Sequence, residues 1–552
     1  MQRAWWKEAV VYQVYPRSFC DSDGDGMGDL GGIRAKLDYL EELGVDVIWL
    51  SPVYQSPGKD NGYDISDYRD ILPEFGTLAD WDALLADVHA RGMRLIMDLV
   101  VNHTSDQHPW FLESRKSKEN PYRDYYIWRD GKGGEEPNNW ESIFSGSVWQ
   151  YDEPTGQYYM HLFTREQPDL NWENPKVRRE IKDIARFWLD RGIDGFRIDT
   201  ANLYAKQPGL PDAPVTKAGK YQDAFKLHSN LPANHEWLRE LHDEVFAPAG
   251  CMTVGETSGV TPQDGRDYTD PKRRELNMII QFGHMTIDVG KNKWEKAEYR
   301  PIALKKVLTA WQEGLNGIGW NCNYLSNHDQ PRQVSRFGND TRYRYESATM
   351  LATLIHTLQG TPFIYQGEEL GMTNVRFDRF EDFQDVEIHN WIAAERQKPD
   401  FNPVAALAQI NRIGRDNART PMQWDDSENA GFTSGTPWLR VNPNYPKINA
   451  KEQLANPHSV FQYYKKLIQL RKQHNVFVYG TFQDLLPDDP AIYSYVRTLE
   501  SDQLFVLLNL TGEDLRLDAK PPAGKILLSN YTGRPVWESG VLLPYEAQVI
   551  LC

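Results

Sequence analysis

Cysteine is scarce in this chain of 552 residues. Only Cys20, Cys251, Cys322 and Cys552 occur, far apart and with no CxxC pair. That excludes a disulfide scaffold and a cysteine-rich zinc site, and it fits a reducing compartment. Positive charge is outnumbered as well, with 61 Lys and Arg against 78 Asp and Glu and a net charge of −17. Such a field repels polyphosphates and anionic membranes, so nucleic acid is not an expected partner. No stretch reaches the ~18 apolar residues of a membrane span. The N-terminal MQRAWWKEAVVYQVYP carries charges where a signal peptide needs its apolar core. The expectation is a soluble, cytoplasmic protein that uses no membrane. Internal repeats and low-complexity segments are also missing, and the length leaves room for a barrel of about 250 residues or more plus further domains.

Aromatic residues are what the chain has in abundance: 18 Trp, 28 Tyr and 21 Phe, or 12% of the residues, punctuated by 40 Gly and 33 Pro. Aromatic surface suits flat polyhydroxylated ligands, and a large α/β core also buries aromatics. Composition leaves both readings open.

Eight apolar runs of strand length recur: Val10–Pro16, Val45–Pro52, Arg94–His103, Gly195–Asp199, Met252–Glu256, Leu276–Phe282, Asn323–Asp329 and Thr361–Glu369. Amphipathic helices fall between them, at Ile33–Gly44, Trp81–Gly92, Val177–Gly192 and Tyr345–Gly360. Eight β-then-α units are what a (β/α)8 TIM barrel requires. The stretch from Thr104 to Asn171 breaks the rhythm without a clear helix and reads as a loop-rich subdomain inserted after strand three. Past Ser459–Asn475 the pattern turns to AIYSYVRT, QLFVLLNL, KILLSN and AQVILC, a C-terminal antiparallel β-sandwich. The expected division is a barrel over 1–103 and 172–479, the insert over 104–171 and the sandwich over 480–552.

Active sites of such barrels lie at the C-terminal ends of the strands. Strand three ends in Asp98 and then Asn102-His103, strand four in Arg197-x-Asp199, strand five in Glu256, and strand seven in Asn327-His328-Asp329. A single acidic strand end is commonly a helix cap. Three carboxylates aimed into one mouth, with Arg and His beside them and no metal-ligand spacing, suit glycosidic cleavage. Arg197 shares a strand face with Asp199 and is expected to keep it ionised as a nucleophile. Glu256 has no cation next to it in the chain, so burial is expected to raise its pKa and make it the general acid/base.

Asp98-Leu-Val-Val-Asn-His103, Gly195-Phe-Arg-Ile-Asp199, Glu256 in VGE and Ser326-Asn-His-Asp329 resemble the conserved regions of glycoside hydrolase family 13, the α-amylase family. Gln167-Pro-Asp-Leu-Asn171 is similar to the extra region of its oligo-1,6-glucosidase and α-glucosidase branch, and the likeness runs nearly end to end. The resemblance implies Asp199 as nucleophile of a retaining double displacement, Glu256 as acid/base and Asp329 as the carboxylate that grips and distorts the sugar. It implies His103 and His328 as transition-state-stabilising histidines and Arg197 as the family's arginine. Asp60, Tyr63 and Arg415 are implied to close the pocket around the non-reducing glucose, Asp60 pairing with Arg415, with Phe163 and Gln167 nearby. A closed pocket implies exo action on small oligosaccharides or disaccharides, and the covalent intermediate implies transglucosylation at high sugar concentration.

Asp21-Ser-Asp23-Gly-Asp25-Gly-Met27-Gly-Asp29 places acidic oxygens at alternate positions with glycines between, which is hard-cation chemistry for Ca2+ or Mg2+. Position twelve is Gly32 where an EF-hand needs a bidentate Glu, so it is not an EF-hand. The resemblance implies a calcium loop after the first strand, with the Met27 carbonyl as one ligand and a structural role. No organic cofactor is implied, and monomer and homo-oligomer are both compatible with the sequence.

In this branch the residue after the nucleophile tracks linkage, valine with α-1,6 and threonine with α-1,4-acting and sucrose-acting members. Here it is Thr200, and NLYAKQPGLPDAP after it looks maltase-like. The expected activity is an α-glucosidase acting on maltose, short maltooligosaccharides and sucrose. An oligo-1,6-glucosidase, a sucrose isomerase and a trehalose-6-phosphate hydrolase are the alternatives. The Arg/Asp-rich motif that sucrose isomerases carry after strand six is replaced here by QFGHMTIDVGKNKW, and Arg376-Phe-Asp-Arg379 falls after strand eight. A non-catalytic barrel, as in transporter heavy subunits, conflicts with the three retained carboxylates and the missing membrane helix.

Overall fold

Eight short strands alternate with helices and close into a parallel barrel in the computed structural model, which describes residues 2–517, 524–532 and 540–552. They are β1 (Val11–Val14), β2 (Val47–Leu50), β3 (Arg94–Leu99), β4 (Gly195–Ile198), β5 (Met252–Thr257), β6 (Met278–Gln281), β7 (Cys322–Asn323) and β8 (Thr361–Tyr365). The sheet runs β6-β5-β4-β3-β2-β1-β8-β7 with every pairing parallel. A parallel bridge from Ile279 to Asn321 joins β6 to β7 and closes the ring. All eight expected strands are in it.

Both faces of the strands are covered, which is why they read as continuous apolar runs rather than alternating ones. Successive residues still point to opposite faces. Tyr12, Ile48, Leu50, Phe196 and Ile198 pack with the helix residues Leu84, Val88, Ile184 and Trp188. Val11, Val47, Trp49, Ile96, Val254 and Ile280 belong to a second buried cluster, which continues into the C-terminal sheet through Tyr493, Val506 and Val549. Gly195 lets β4 approach β5, since a Cβ there would sit 2.0 Å from the Met252 carbonyl oxygen.

Local chemistry moved several boundaries. The helix expected at Trp81–Gly92 is Leu78–Ala90, started early by a capping box between Thr77 and Asp80. The one expected at Ile33–Gly44 is two helices, Leu30–Ala35 and Leu37–Leu43, broken at Lys36. The seventh strand ends at Asn323, not Asp329. Asn327 Oδ1 accepts the Asp329 N–H and turns the chain there, freeing His328 and Asp329 from the ladder. The third strand ends at Leu99, because His103 bridges to Asp169 of the insert instead.

The insert does contain a helix, Pro109–Ser114, capped by the His108 ring, and a three-stranded antiparallel sheet of Trp128–Arg129, Gln157–Met160 and Trp149–Asp152. Trp140 and Trp149 pack there with Leu203 and Leu210 from the long loop after β4. A small module after β8 has no counterpart in the sequence reading. Its helices Val386–Glu395 and Pro403–Ile413 share a core of Phe377, Phe383, Ile388, Ile392 and Ile410.

The tail forms a five-stranded antiparallel sheet of β9 (Thr481–Asp484), β10 (Ile492–Leu499), β11 (Asp502–Asn509), β12 (Lys525–Ser529) and β13 (Ala547–Leu551), ordered β9-β10-β11-β13-β12. A strand pair, Leu515–Arg516 with Val541–Leu542, packs on it through Ile492, Leu507 and Leu542. The four cysteines are free thiols. Among the described residues no helix is long and apolar enough to cross a membrane.

Candidate active site

The C-terminal ends of β3, β4 and β5 and the turn after β7 converge on a cavity of about 320 Å³. Asp60, Tyr63, His103, Phe163, Asp199, Thr200, Glu256, Asp329 and Arg415 line it. Gln167, Arg197 and His328 stand behind that wall, all almost wholly buried. The expected substrate-site residues are therefore brought together, nine lining the space and three supporting it.

Arg197 is the hub. The register of β4 places it beside Asp98 on β3 and Val254 on β5. Its Nη1 donates to Asp98 Oδ1 at 2.5 Å and to Asp199 Oδ1 at 2.6 Å, while Nη2 donates to Glu256 Oε2 at 2.5 Å. Glu256 therefore has a cation against it, contrary to the sequence expectation. The neighbouring strand supplies what the chain neighbours do not. Burial nevertheless dominates, and with repulsion from Asp199 and Asp329 it pushes Glu256 up to about 8 despite Arg197. Asp199 is also raised, to about 6, by burial and the nearby Asp98 charge against the pull of Arg197. Asp199 is therefore ionised above pH about 6 with Arg197 pulling it that way, and it lies below Glu256.

Thr200 adopts a left-handed φ of 41°, a conformation that costs an L-residue roughly 1–2 kcal/mol. It turns the Thr200 N–H toward Glu256 Oε2 at 3.3 Å and leaves Oγ1 3.5 Å from Asp199 Oδ2. Strain of this kind persists where surrounding contacts hold it. Here the Ala201 N–H is held by the Glu256 carbonyl at 2.8 Å.

Asp329 differs from the other two carboxylates. Burial pushes its pKa up, but the charges of Arg415 and Arg419, joined by His328 only where that ring is protonated, outweigh it and hold Asp329 well below the carboxylate range. Arg419 Nη2 reaches Asp329 Oδ1 at 2.7 Å and Arg415 Nη1 reaches it at 3.2 Å. The His328 ring stacks on Tyr63 at 5.2 Å and 4°, and its Nδ1 lies 2.8 Å from Gln13 Nε2. Burial lowers His103 to about 4 and His328 to about 3, so both are neutral. His103 packs edge-on to Phe163 and contacts Gln167, which in turn donates to Asp60 Oδ2 at 3.2 Å.

Arg415 reaches Asp60 at 3.3 Å, but its principal partner is Asp385, 2.6 Å from Nη2 and 3.0 Å from Nε. Asp385 and Glu387 come from the module after β8 and escaped the sequence reading, as did Lys293, whose ammonium pairs with Glu387 at 2.5 Å. No motif or periodicity marks them. Arg419 was within reach, four residues beyond Arg415 and on the short helix Asp416–Arg419. Asp98 was visible as a strand end, but its carboxylate is enclosed by the Trp49 indole and Arg197.

The acidic loop gathers Asp21, Asp23 and Asp29, which can offer oxygens all within 4.8 Å of one another. Asp25 is not in that group, and its Oδ1 takes the Met27 N–H. Among the described residues no Lys or Arg pairs with these carboxylates, and a hard divalent cation fits such a donor set.

A family model for the alpha amylase catalytic domain matches residues 13–480. The chain belongs to the α-amylase family of glycoside hydrolases. It is 62% identical to an oligo-1,6-glucosidase of Parageobacillus thermoglucosidasius over 93% of this chain and 91% of that protein. A solved trehalose-6-phosphate hydrolase of Bacillus licheniformis superposes with a TM-score of 0.94 at 47% identity, covering 100% of both chains. A solved isomaltulose synthase of Erwinia rhapontici, in complex with its substrate sucrose, gives 0.95 at 43% identity, covering 100% of this chain and 99% of that one. Within the family the chain falls in the α-glucosidase and oligo-1,6-glucosidase branch, and it is an enzyme that cleaves α-glucosides.

Proposed function

We propose a retaining, exo-acting α-glucosidase in which Asp199 attacks the anomeric carbon and Glu256 protonates the departing oxygen. Water, deprotonated by Glu256, then releases α-glucose, and a second sugar in its place gives transglucosylation. The observation that carries this reading is one guanidinium bridging both carboxylates, Arg197 to Asp199 and to Glu256. That proximity favours the ~5–5.5 Å carboxylate separation of retaining enzymes over the ~6.5–9.5 Å of inverting ones. Asp329, anionic and held by two arginines, is suited to gripping sugar hydroxyls. Asp60, Arg415, Tyr63, Phe163 and Gln167 close the far end around one glucose.

Thr200 favours α-1,4-glucosides and sucrose as substrates. A second reading, α-1,6 cleavage, rests on the oligo-1,6-glucosidase at 62% identity. Phosphorylated disaccharides are disfavoured by charge: the two cations on the cavity wall, Lys293 and Arg415, are already paired with Glu387 and Asp385. A Ca2+ or Mg2+ ion held by Asp21, Asp23 and Asp29, with Asp25 and the Met27 carbonyl as further candidates, would stabilise the loop after β1 without entering the chemistry. Four free cysteines favour the cytoplasm.

The test is product analysis of wild type and Asp199→Asn on maltose, isomaltose, sucrose, trehalose and trehalose-6-phosphate. Glucose from maltose or sucrose well ahead of isomaltose, abolished by the substitution, is expected. Isomaltose in the lead would overturn the linkage. Isomaltulose or trehalulose from sucrose would make the enzyme an isomerase.

A further inference from the structure

We propose a second small-molecule site, for a phosphate ester, at the N-terminal end of the barrel and opposite the glycosidase cavity. A cavity of about 530 Å³ opens there, larger than the one at the carboxylates. Every segment around its centre precedes a strand: Gln2–Lys7 leads into β1, Asp270–Asn277 into β6, and Gly317–Ile318 into β7. The catalytic groups all follow strands, so the two cavities occupy opposite faces. A pocket at this end contributes to no step of glycoside cleavage.

Its electrostatics run against the rest of the chain, whose net charge is −17. Lys7 is 7% exposed. Its ammonium meets the Gln2 carbonyl at 3.0 Å and the Trp6 and Trp320 rings at 5.1 Å each, and among the described residues no carboxylate pairs with it. Burial draws its pKa down. The indoles offset part of the desolvation cost, but an ammonium has three N–H donors and one carbonyl uses one of them. Arg3 and Lys272, both exposed on the rim, have no ion-pair partner among the described residues either. Of the two lining acids, only Glu275 is neutralised by cations outside the cavity, while Asp270 keeps its charge at the wall. Glu275 pairs with His235, Arg239 and Arg273, and Asp270 Oδ1 accepts the Lys272 N–H.

Unpaired cations around a buried lysine match a dianionic phosphate. The apolar remainder of the wall, Trp6, Leu276 and Ile318, gives an organic group something to pack on. Phosphate alone would use the cations and leave that wall idle, so the ligand is an ester.

Calorimetric titration and thermal shift of the full chain, with glucose held at saturation in the catalytic cavity, test this with glucose 6-phosphate, inorganic phosphate and glucose 1-phosphate. At least one ester is expected to bind and raise Tm, more tightly than inorganic phosphate. Lys7→Met, Arg3→Glu and Lys272→Glu should each weaken it by about tenfold or more, with kcat/KM on maltose unchanged. The two rim substitutions lie on the surface and keep the test open should Lys7→Met fail to fold. Absence of binding, inorganic phosphate matching the esters, or equal affinity in all variants would overturn the proposal.

Discussion

Arg197 and Glu256 sit 59 residues apart in the chain and 2.5 Å apart in the fold, Nη2 to Oε2. A general acid in direct contact with an arginine has to be kept protonated against that cation. Burial together with the negative charges of Asp199 and Asp329 does this, raising Glu256 to about 8.

The rate profile follows from this pair. Asp199, raised to about 6, must lose its proton to attack, so kcat/KM climbs as pH rises through about 6. Glu256 must keep its proton, so kcat/KM falls as pH rises through about 8. The two limbs are macroscopic constants of the coupled pair. Initial rates from pH 4.5 to 9.5 on maltose read them directly, and a profile flat across that range would refute the assignment.

Glu256→Gln is expected to slow maltose hydrolysis by about 10²–10⁴-fold, the usual contribution of general acid–base catalysis. An activated aryl glucoside needs no proton on departure, so its glycosylation step should suffer far less. A burst of aryl alcohol followed by slow turnover is the signature. Equal losses on both substrates would argue for a purely structural role.

Asp385 is fully buried against Arg415 and held at about 2 chiefly by that guanidinium, against the cost of burial. Its stabilising charge is present above the ordinary carboxylate range and is lost only as pH falls toward 2. Removing it at neutral pH leaves Arg415 short of its closest partner. Asp385→Ala should therefore lower stability by about 3–5 kcal/mol, seen as a fall in Tm. Asp385→Asn should raise KM for maltose by about tenfold, or 1.4 kcal/mol, with a smaller change in kcat. An unchanged KM would show that Asp60 and Asp329 suffice to orient Arg415.

Thr200→Val keeps the β-branched shape at a left-handed φ and removes only the hydroxyl near Asp199. The maltose-to-isomaltose ratio of kcat/KM should fall by about 10-fold or more, within the 1–3 kcal/mol that a small pocket change supplies. A competition assay with both disaccharides in one vessel measures this ratio. No shift would place linkage selection elsewhere in the pocket.

Chelation tests the acidic loop. Removing a divalent cation from Asp21, Asp23 and Asp29 should lower Tm, with a stabilisation of about 2.7 kcal/mol at a concentration a hundred times Kd. The kcat at 25 °C should stay the same, because the loop supplies no group to the cavity. Asp23→Asn should abolish the Tm response to calcium, and a Tm insensitive to both chelator and calcium would remove the metal from the account.

The barrel and the three carboxylates were legible in the chain because both depend on local order. Apolar runs of strand length alternate with amphipathic helices, and a strand end is a position along the sequence, so Asp199 and Glu256 could be named before any fold was known, while Asp329, on a turn past the end of β7, was marked by the Ser326-Asn-His-Asp329 motif. The clustering of Asp21, Asp23 and Asp29 was legible for the same reason, these acids lying within nine residues. Only the tertiary structure decided which charge meets which. The register that sets Arg197 beside Val254 on β5 makes the arginine a partner of Glu256 as well as Asp199. The packing of the module after β8 delivers Asp385 to Arg415 and Glu387 to Lys293. Those contacts span 30 to 94 residues, and no periodicity carries over such distances. Electrostatic pairing depends on separation in space, which is set by strand register and helix packing rather than by order along the chain.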